Sequence, residues 1–390
     1  MFLLENLQPA PIVRAQTQFR PGVLFDGDTG EATTPGYQTE PENFNEFLID
    51  AGLDPDQIEV IPPVRTSRWQ QQQDGDLIWL TSYRFTFRRK QQSLDMLRLA
   101  NLIKAHKPKT KPLKNTEPKC LVVLWSDLQV GKVDYRGNTE TLIARVAETQ
   151  ERLLEQIRSE RPEKVIFADL GDTVENFYNV ASAQQHYTND LSIMEQVDLA
   201  TTFAWQALSA IANLVPEVLY ASVGSNHCQF RSANGKALGK ATDDWGIFIG
   251  RQLARLAQES GFTEIQFVEP QPHDESLAID VFGDGYHILG VVHGHQAKRP
   301  EIMGTWWRQQ AFGRQPVADA NILVHGHFHH LRVTELGSTP RGTSRFMIMA
   351  PTMDNGSGWY RLNNGEDSVP GLATLILEKN KDYTGTVYKH

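Results

Sequence analysis

The chain has 390 residues, 40% of them apolar and 22% charged, with a formal net charge of −9. That length exceeds one ordinary core, so two domains are expected, and the lack of any run of about 18 apolar residues argues against a membrane-spanning helix. Two cysteines, Cys120 and Cys228, stand in no Cys-x-x-Cys pattern. They give neither a disulfide framework nor a zinc–thiolate site and suit a reducing cytoplasm.

Residues 1 to about 40 are rich in Pro, Thr and Gln without periodicity and read as an extended arm. Met1–Gln8 lacks a basic n-region and does not read as a signal peptide. A short helix is expected from near Glu42, carrying Phe44, Phe47, Leu48 and Leu53 around a terminating Gly52. Val64–Gln71 and Leu77–Arg88 read as strands joined at Asp74-Gly75. Trp79, Thr81, Tyr83, Phe85 and Phe87 alternate onto one face, which is either a buried sheet face or a base-stacking platform. Ser93 caps an expected helix reaching about Ala105. The Lys- and Pro-rich stretch 107–118 then reads as a linker. The boundary falls there, giving a small α+β module over residues 1–118 and a second domain over 119–390.

Charge is unevenly distributed across that boundary. Arg84 to Lys119 holds eleven Lys or Arg against only Asp95 and Glu117. Such a run is either a solvated helix face with its linker or a contact surface for a phosphate backbone.

Beyond residue 118 strands and helices alternate. Leu121–Ser126, Val165–Leu170 and Glu217–Val223 are short apolar strands, separated by helical patterns over Thr139–Arg158 and Leu191–Leu214. A further helix is expected over Asp243–Ala257. Mostly strands follow, near Ile265, Leu277, Ile288, Ile322, Arg332, Phe346 and Leu372. This order predicts an α/β layer structure with at least one mixed sheet.

Five of these strands end in polar, metal-type residues, where open α/β sheets place their sites. They are Asp127-Leu128-Gln129, Gly171-Asp172, Asn226-His227, His293-Gly294-His295 and His325-Gly326-His327-Phe328-His329-His330. Each is commonplace alone. Together they place seven of the twelve histidines in three clusters, next to carboxylates and amides suited to divalent ions. Cys228 reads as packing, and His295, His325 and His330 as second-line candidates. No Gly-x-Ser-x-Gly or phosphate-binding P-loop pattern occurs.

In order and spacing these motifs resemble those of the calcineurin-like metallophosphoesterase superfamily, over about residues 120 to 378. Gly326-His327-Phe328-His329 is the most specific match. The resemblance implies a four-layer α/β/β/α sandwich with mixed sheets, here preceded by the small α+β module. It also implies a binuclear centre of two divalent metal ions, Mn²⁺ first, with Fe²⁺, Zn²⁺ or Mg²⁺ as alternatives. By that resemblance Asp127 and His329 hold the first ion, with Gln129 where the family usually has His. Asp172 bridges, and Asn226, His293 and His327 hold the second ion. His227 sits beside the scissile phosphate. Ser225 and Cys228 depart from the family pattern, removing the acid that would orient His227.

The chemistry such a centre supports is in-line hydrolysis of a phosphoester. Nucleic acid is favoured as substrate by the basic segment and by Arg231, Lys236 and Lys240, which follow His227. Trp307 and Arg308, with Trp306 and Arg314, offer stacking and charge, or else core packing. Ser126–Lys132, Asp243–Trp245 and Ser357–Trp359 are similar to a phage-type branch related to double-strand-break-repair DNA nucleases. The expectation is therefore a DNA nuclease of replication, recombination or repair in a bacterial or phage-infected cell. Its partners are DNA and a second copy of the chain in a homodimer, with no membrane. The alternatives are a small-molecule (cyclic) nucleotide phosphodiesterase and a DNA-binding scaffold with a degenerate metal site.

Overall fold

The computed structural model describes residues 21–27, 29–73, 76–89, 118–177, 189–232, 236–358, 361–362, 365 and 368–390. The expected helix at Ser93–Ala105, the linker at 107–117, the Asp74-Gly75 turn and Trp359 lie outside them. So does most of the basic segment. The chain divides into two compact units, Met1–Ser93 and Leu94–His390. Among the described residues no helix is long and apolar enough to cross a membrane.

The first unit is a four-stranded antiparallel sheet in the order β1-β2-β4-β3, with one short helix. β1 (Gly22–Phe25) and β2 (Thr29–Thr33) occupy part of the stretch expected to be an extended arm. Their few apolar residues are too short a run to show alternation, and pairing of β2 with β4 supplies what propensity does not. β3 (Ile58–Gln73) and β4 (Asp76–Arg89) form the expected hairpin. Its aromatic stripe is divided. Tyr83, Phe85 and Phe87 are buried with Leu48 of α1 (Asn45–Asp50), whereas Trp79 is 48% exposed beneath the Arg68 guanidinium.

The second unit is α/β, with two mixed sheets. The six-stranded sheet runs β15-β14-β5-β6-β7-β8. In it β5 (Lys119–Trp125), β6 (Lys164–Asp169), β7 (Glu217–Ser222) and β8 (Ile265–Val268) are parallel, and β14 (Ala373–Glu378) and β15 (Val387–Lys389) are antiparallel. The five-stranded sheet runs β12-β13-β11-β10-β9. Here β10 (Ile288–Val292), β11 (Ile322–His325) and β13 (Ser344–Met349) are parallel, flanked by antiparallel β9 (Ser276–Asp280) and β12 (Arg332–Ser338).

Three helices connect the parallel strands of the larger sheet, each with a side-chain cap. In α2 (Thr139–Glu160) Asn138 accepts from the Thr141 N–H. Ser192 and Glu195 form a reciprocal capping box on α3 (Ile193–Ala212), and Asp244 accepts from Gly246 and Ile247 at the start of α4 (Trp245–Ser260). These caps satisfy N–H groups the helix itself leaves open.

Alternation along the strands sorts residues between faces. Leu121, Val123, Phe167 and Tyr220 pack with Leu142, Phe203 and Leu253 of the three helices. From the opposite face Val122, Leu124 and Ile166 share a core with Leu289, Val291, Val324 and Ile348 of the smaller sheet. On that sheet's far side Leu323 and Met347 meet Met303 and Trp307 of α5 (Met303–Phe312). Helix α5 was not expected; its sequence has no side-chain cap and two adjacent tryptophans that suit a strand equally well.

Candidate metal centre

Every histidine and carboxylate singled out beyond residue 118 leaves the C-terminal end of a strand. Asp127 and Gln129 follow β5, Asp172 follows β6, Asn226 and His227 follow β7, His293 follows β10, and His327 and His329 follow β11. The chain turns sharply there. Asp127, Gln129, Asp172, His327 and His329 all have positive φ, between 45° and 71°, and make up five of the nine such non-glycine residues described. Gly171 and Gly326 permit the close approach. A Cβ on Gly326 would fall on Ser126 Oγ and the Asp127 carboxylate, and one on Gly171 would meet Ser225.

Backbone groups lock the loops to one another. The Asp127 N–H donates to the Gly171 carbonyl at 3.0 Å and the Gln129 N–H to the Asp172 carbonyl at 2.9 Å. Asp127 Oδ2 accepts from the His327 N–H at 3.0 Å and Asp172 Oδ1 from the His227 N–H at 2.8 Å. Asp169, at the end of β6, supports the same turn by accepting from the Gly171 N–H and the Tyr220 hydroxyl. Burial pushes its carboxyl up to about 6.

The site has two halves. In one, ligand atoms of Asp172, His293 and His327 all lie within 4.8 Å of one another. His293 Nε2 is 3.1 Å from Asp172 Oδ2 and 2.9 Å from Asn226 Oδ1. Its Nδ1 lies 2.7 Å from the Leu170 carbonyl, so the ring donates there and turns Nε2 inward, as metal-ligating histidines do. Burial would keep Asp172 protonated, but His293 and His227 outweigh it and hold the carboxyl well below its usual range. Burial and the neighbouring His293 push His327 down to about 3, leaving a neutral imidazole with a lone pair free for a cation. Carboxylate, amide oxygen and two imidazoles therefore fit a divalent cation.

The other half is arranged differently. Asp127 Oδ1 faces His329 Nε2 at 3.3 Å, and His329 Nδ1 faces Asp354 Oδ2 at 3.5 Å. The ammonium of Lys132 lies 2.5 Å from the same Asp354 oxygen and 2.6 Å from Gln129 Oε1. Asp354 is fully buried. Burial disfavours its charge, but Lys132 and His329 hold it far below the ordinary range. The side-chain oxygen of Gln129 is thus bonded to a cation already.

His227 stands beside both halves. Its Nε2 is 3.8 Å from Asp172 Oδ2 and 3.3 Å from Gln129 Nε2, and its Nδ1 is 3.1 Å from Glu175 Oε2. Burial opposes protonation, yet Asp172 and Glu175 raise its pKa above the ordinary value. An orienting acid is therefore present, supplied by the loop after β6 and not by the residue after the histidine. Sequence reasoning missed this role for Glu175, missed Asp354, and took Lys132 only as the end of the Ser126–Lys132 motif, with no place in the site. The spacing Asp172-x-x-Glu175 is the signal for the first.

The remaining candidates scatter. Arg231 is half-buried and donates from Nε to the Asn226 carbonyl at 3.0 Å, while Lys236 and Lys240 are exposed on the loop that follows. Arg308 is exposed on α5. Trp307 is 4% exposed and its indole N–H donates to the Val317 carbonyl, so it is a core residue and no stacking platform. His295 pairs with Glu275 at 3.5 Å, and burial pushes His325 down to about 4. Cys228 is buried packing, as expected.

No family model and no curated protein matches the chain. Among solved structures it is similar to a protein of unknown function from Aquifex aeolicus, at 14% identity and a TM-score of 0.22 over 55% of this chain and 81% of that one. It is also similar to the phosphopantetheinyl hydrolase of Mycobacterium tuberculosis, at 9% identity and a TM-score of 0.25 over 61% of this chain and 92% of that one.

Proposed function

We propose that the chain is a metal-dependent phosphodiester hydrolase acting on DNA, a nuclease of the calcineurin-like kind. The observation that carries this reading is the convergence of Asp172, Asn226, His293 and His327 from the ends of four strands, with His227 beside them. The succession of helices, six-stranded sheet, five-stranded sheet and helix accords with an α/β/β/α sandwich.

Asp172, Asn226, His293 and His327 would hold the ion, Mn²⁺ in the first instance. A divalent ion there supplies Lewis acidity toward the phosphoryl oxygens and an attacking water. His227, held by Glu175 and raised in pKa by the two carboxylates, is placed to give its proton to the leaving oxygen. Asp172 binds the His227 backbone as well, so one carboxylate fixes both the cation and the acid. Arg231, Lys236 and Lys240 offer positive charge along the loop that leads away from His227, where a phosphate backbone can run.

The test is hydrolysis of linear single- and double-stranded DNA with added Mn²⁺, comparing wild type with Asp172→Asn and His227→Ala. Wild type should cleave and both variants should lose activity, His227→Ala by about 10²–10⁴-fold. Absence of cleavage by metal-loaded wild type, with turnover of cyclic nucleotides instead, would move the substrate to small phosphodiesters.

A further inference from the structure

We propose that this chain takes one divalent ion, at Asp172, His293 and His327, and that the ammonium of Lys132 is the fixed positive charge of the neighbouring half. The inference rests on the metal-dependent reading above and departs from the two-ion centre that the motif order implies.

Three observations carry it. Gln129 stands where an imidazole ligand is expected, and its carbonyl oxygen accepts from Lys132 at 2.6 Å. Rotating the amide to free that oxygen would turn its NH₂ group toward the ammonium, so the orientation is set by charge. Lys132 is itself anchored: its side chain is 12% exposed and bonded at 2.5 Å to the fully buried Asp354, across more than two hundred residues of sequence. Finally, Asp354 also faces His329 Nδ1 at 3.5 Å, while Asp127 faces His329 Nε2 at 3.3 Å. Asp354 of this half therefore already has a cationic partner in Lys132, while Asp127 Oδ1 approaches His329 without a hydrogen bond, so the residues run Asp127, His329, Asp354, Lys132 and Gln129 in series.

A second dication in that series would lie beside a buried ammonium that cannot move away without leaving Asp354 unpaired. Like charges in a low-dielectric site repel strongly, and an uncompensated buried carboxylate is costly. The Asp172 half differs. Its carboxylate meets imidazoles, His293 at 3.1 Å and His227 at 3.8 Å, where the other half holds an ammonium, and its ligand atoms cluster within 4.8 Å. A lysine charge needs no metal supply. It adjoins His227 through the Gln129 amide, whose oxygen lies 2.6 Å from the ammonium and whose nitrogen lies 3.3 Å from His227 Nε2.

The experiment uses the 390-residue chain, stripped with chelator, loaded with excess Mn²⁺ and desalted. Metal per chain is measured by plasma mass spectrometry and ion–ion coupling by electron paramagnetic resonance. Wild type should hold about one Mn²⁺ with the spectrum of an isolated ion, and Asp172→Asn about none. The double variant Gln129→His with Lys132→Ala should gain a second, exchange-coupled ion, about two per chain. The wild-type count stands even if that variant does not fold. Two exchange-coupled ions in wild type would overturn this inference and leave the proposed function standing. No uptake by wild type would overturn both.

Discussion

Glu175 Oε2 lies 3.1 Å from Nδ1 of His227, on the side of the ring away from the 3.8 Å approach of Nε2 to Asp172. The imidazole is thus held between two carboxylates that raise its pKa against the cost of burial. If His227 donates a proton, activity falls as pH rises through that value. Glu175→Gln removes one of the two charges, so the alkaline limb of the rate profile should move to lower pH, while Mn²⁺ binding stays intact. A limb that does not move would show that Glu175 only packs there. The measurement is the pH dependence of kcat/KM for both proteins.

Lys236 and Lys240 are exposed, and Trp307 is buried in the core behind the smaller sheet. Replacing each lysine by Ala should weaken DNA binding at every sequence and reduce the slope of log affinity against log salt by about 1. Trp307→Phe removes the indole bond to the Val317 carbonyl, which keeps only the Ala320 N–H at 3.3 Å, and leaves a smaller ring, so it should lower the melting temperature without changing that slope. Fluorescence anisotropy at several salt concentrations separates the two. A changed slope in Trp307→Phe would return this residue to the substrate surface.

Asp244 caps α4 and also accepts from the Ser225 N–H. Burial pushes its carboxyl up from 3.8 to about 7, although those three N–H groups favour the ionised form. A raised folded-state value means that protonation favours the fold. The contribution is complete below pH 3.8 and is lost as pH rises through about 7. Wild type should therefore lose more stability than Asp244→Asn between about pH 5 and about pH 8, since Asn keeps an oxygen for the cap but does not titrate. Asp169 titrates in both proteins, so the difference in melting temperature isolates Asp244. Equal losses would refute the shift.

Cys120 and Cys228 are both buried, and burial pushes the first thiol up to about 12 and the second well above its ordinary value. Neither forms thiolate near neutrality. A disulfide reagent should label neither in the native protein and both in denaturant. Rapid native labelling of Cys228 would mean that the loop after β7 opens.

Much of the second unit was legible because its strands are short apolar runs with helices of clear period between them. The ends of β5, β6, β7, β10 and β11 could be read directly, since metal-type residues follow each apolar run within four positions. The partners of those residues could not. Lys132 and Asp354 are 222 positions apart, and no local pattern joins them. The missing acid beside His227 looked like a loss because it was sought next along the chain, whereas the fold brings Glu175 from another strand. Trp307 was ambiguous for a related reason: an indole serves a core or a base equally well, and only its bond to Val317 decides.

Five of the residues that build the centre hold a left-handed backbone, at a cost of about 1–2 kcal/mol each relative to ordinary geometry. Glycine at any of those positions would relieve the strain but remove the side chain. A lineage with no use for the chemistry gains stability by each such exchange, so disuse should erode this centre before it erodes the surrounding core. Glycine in place of Asp127, Gln129, Asp172, His327 or His329 should therefore raise the melting temperature while it empties the centre of that side chain.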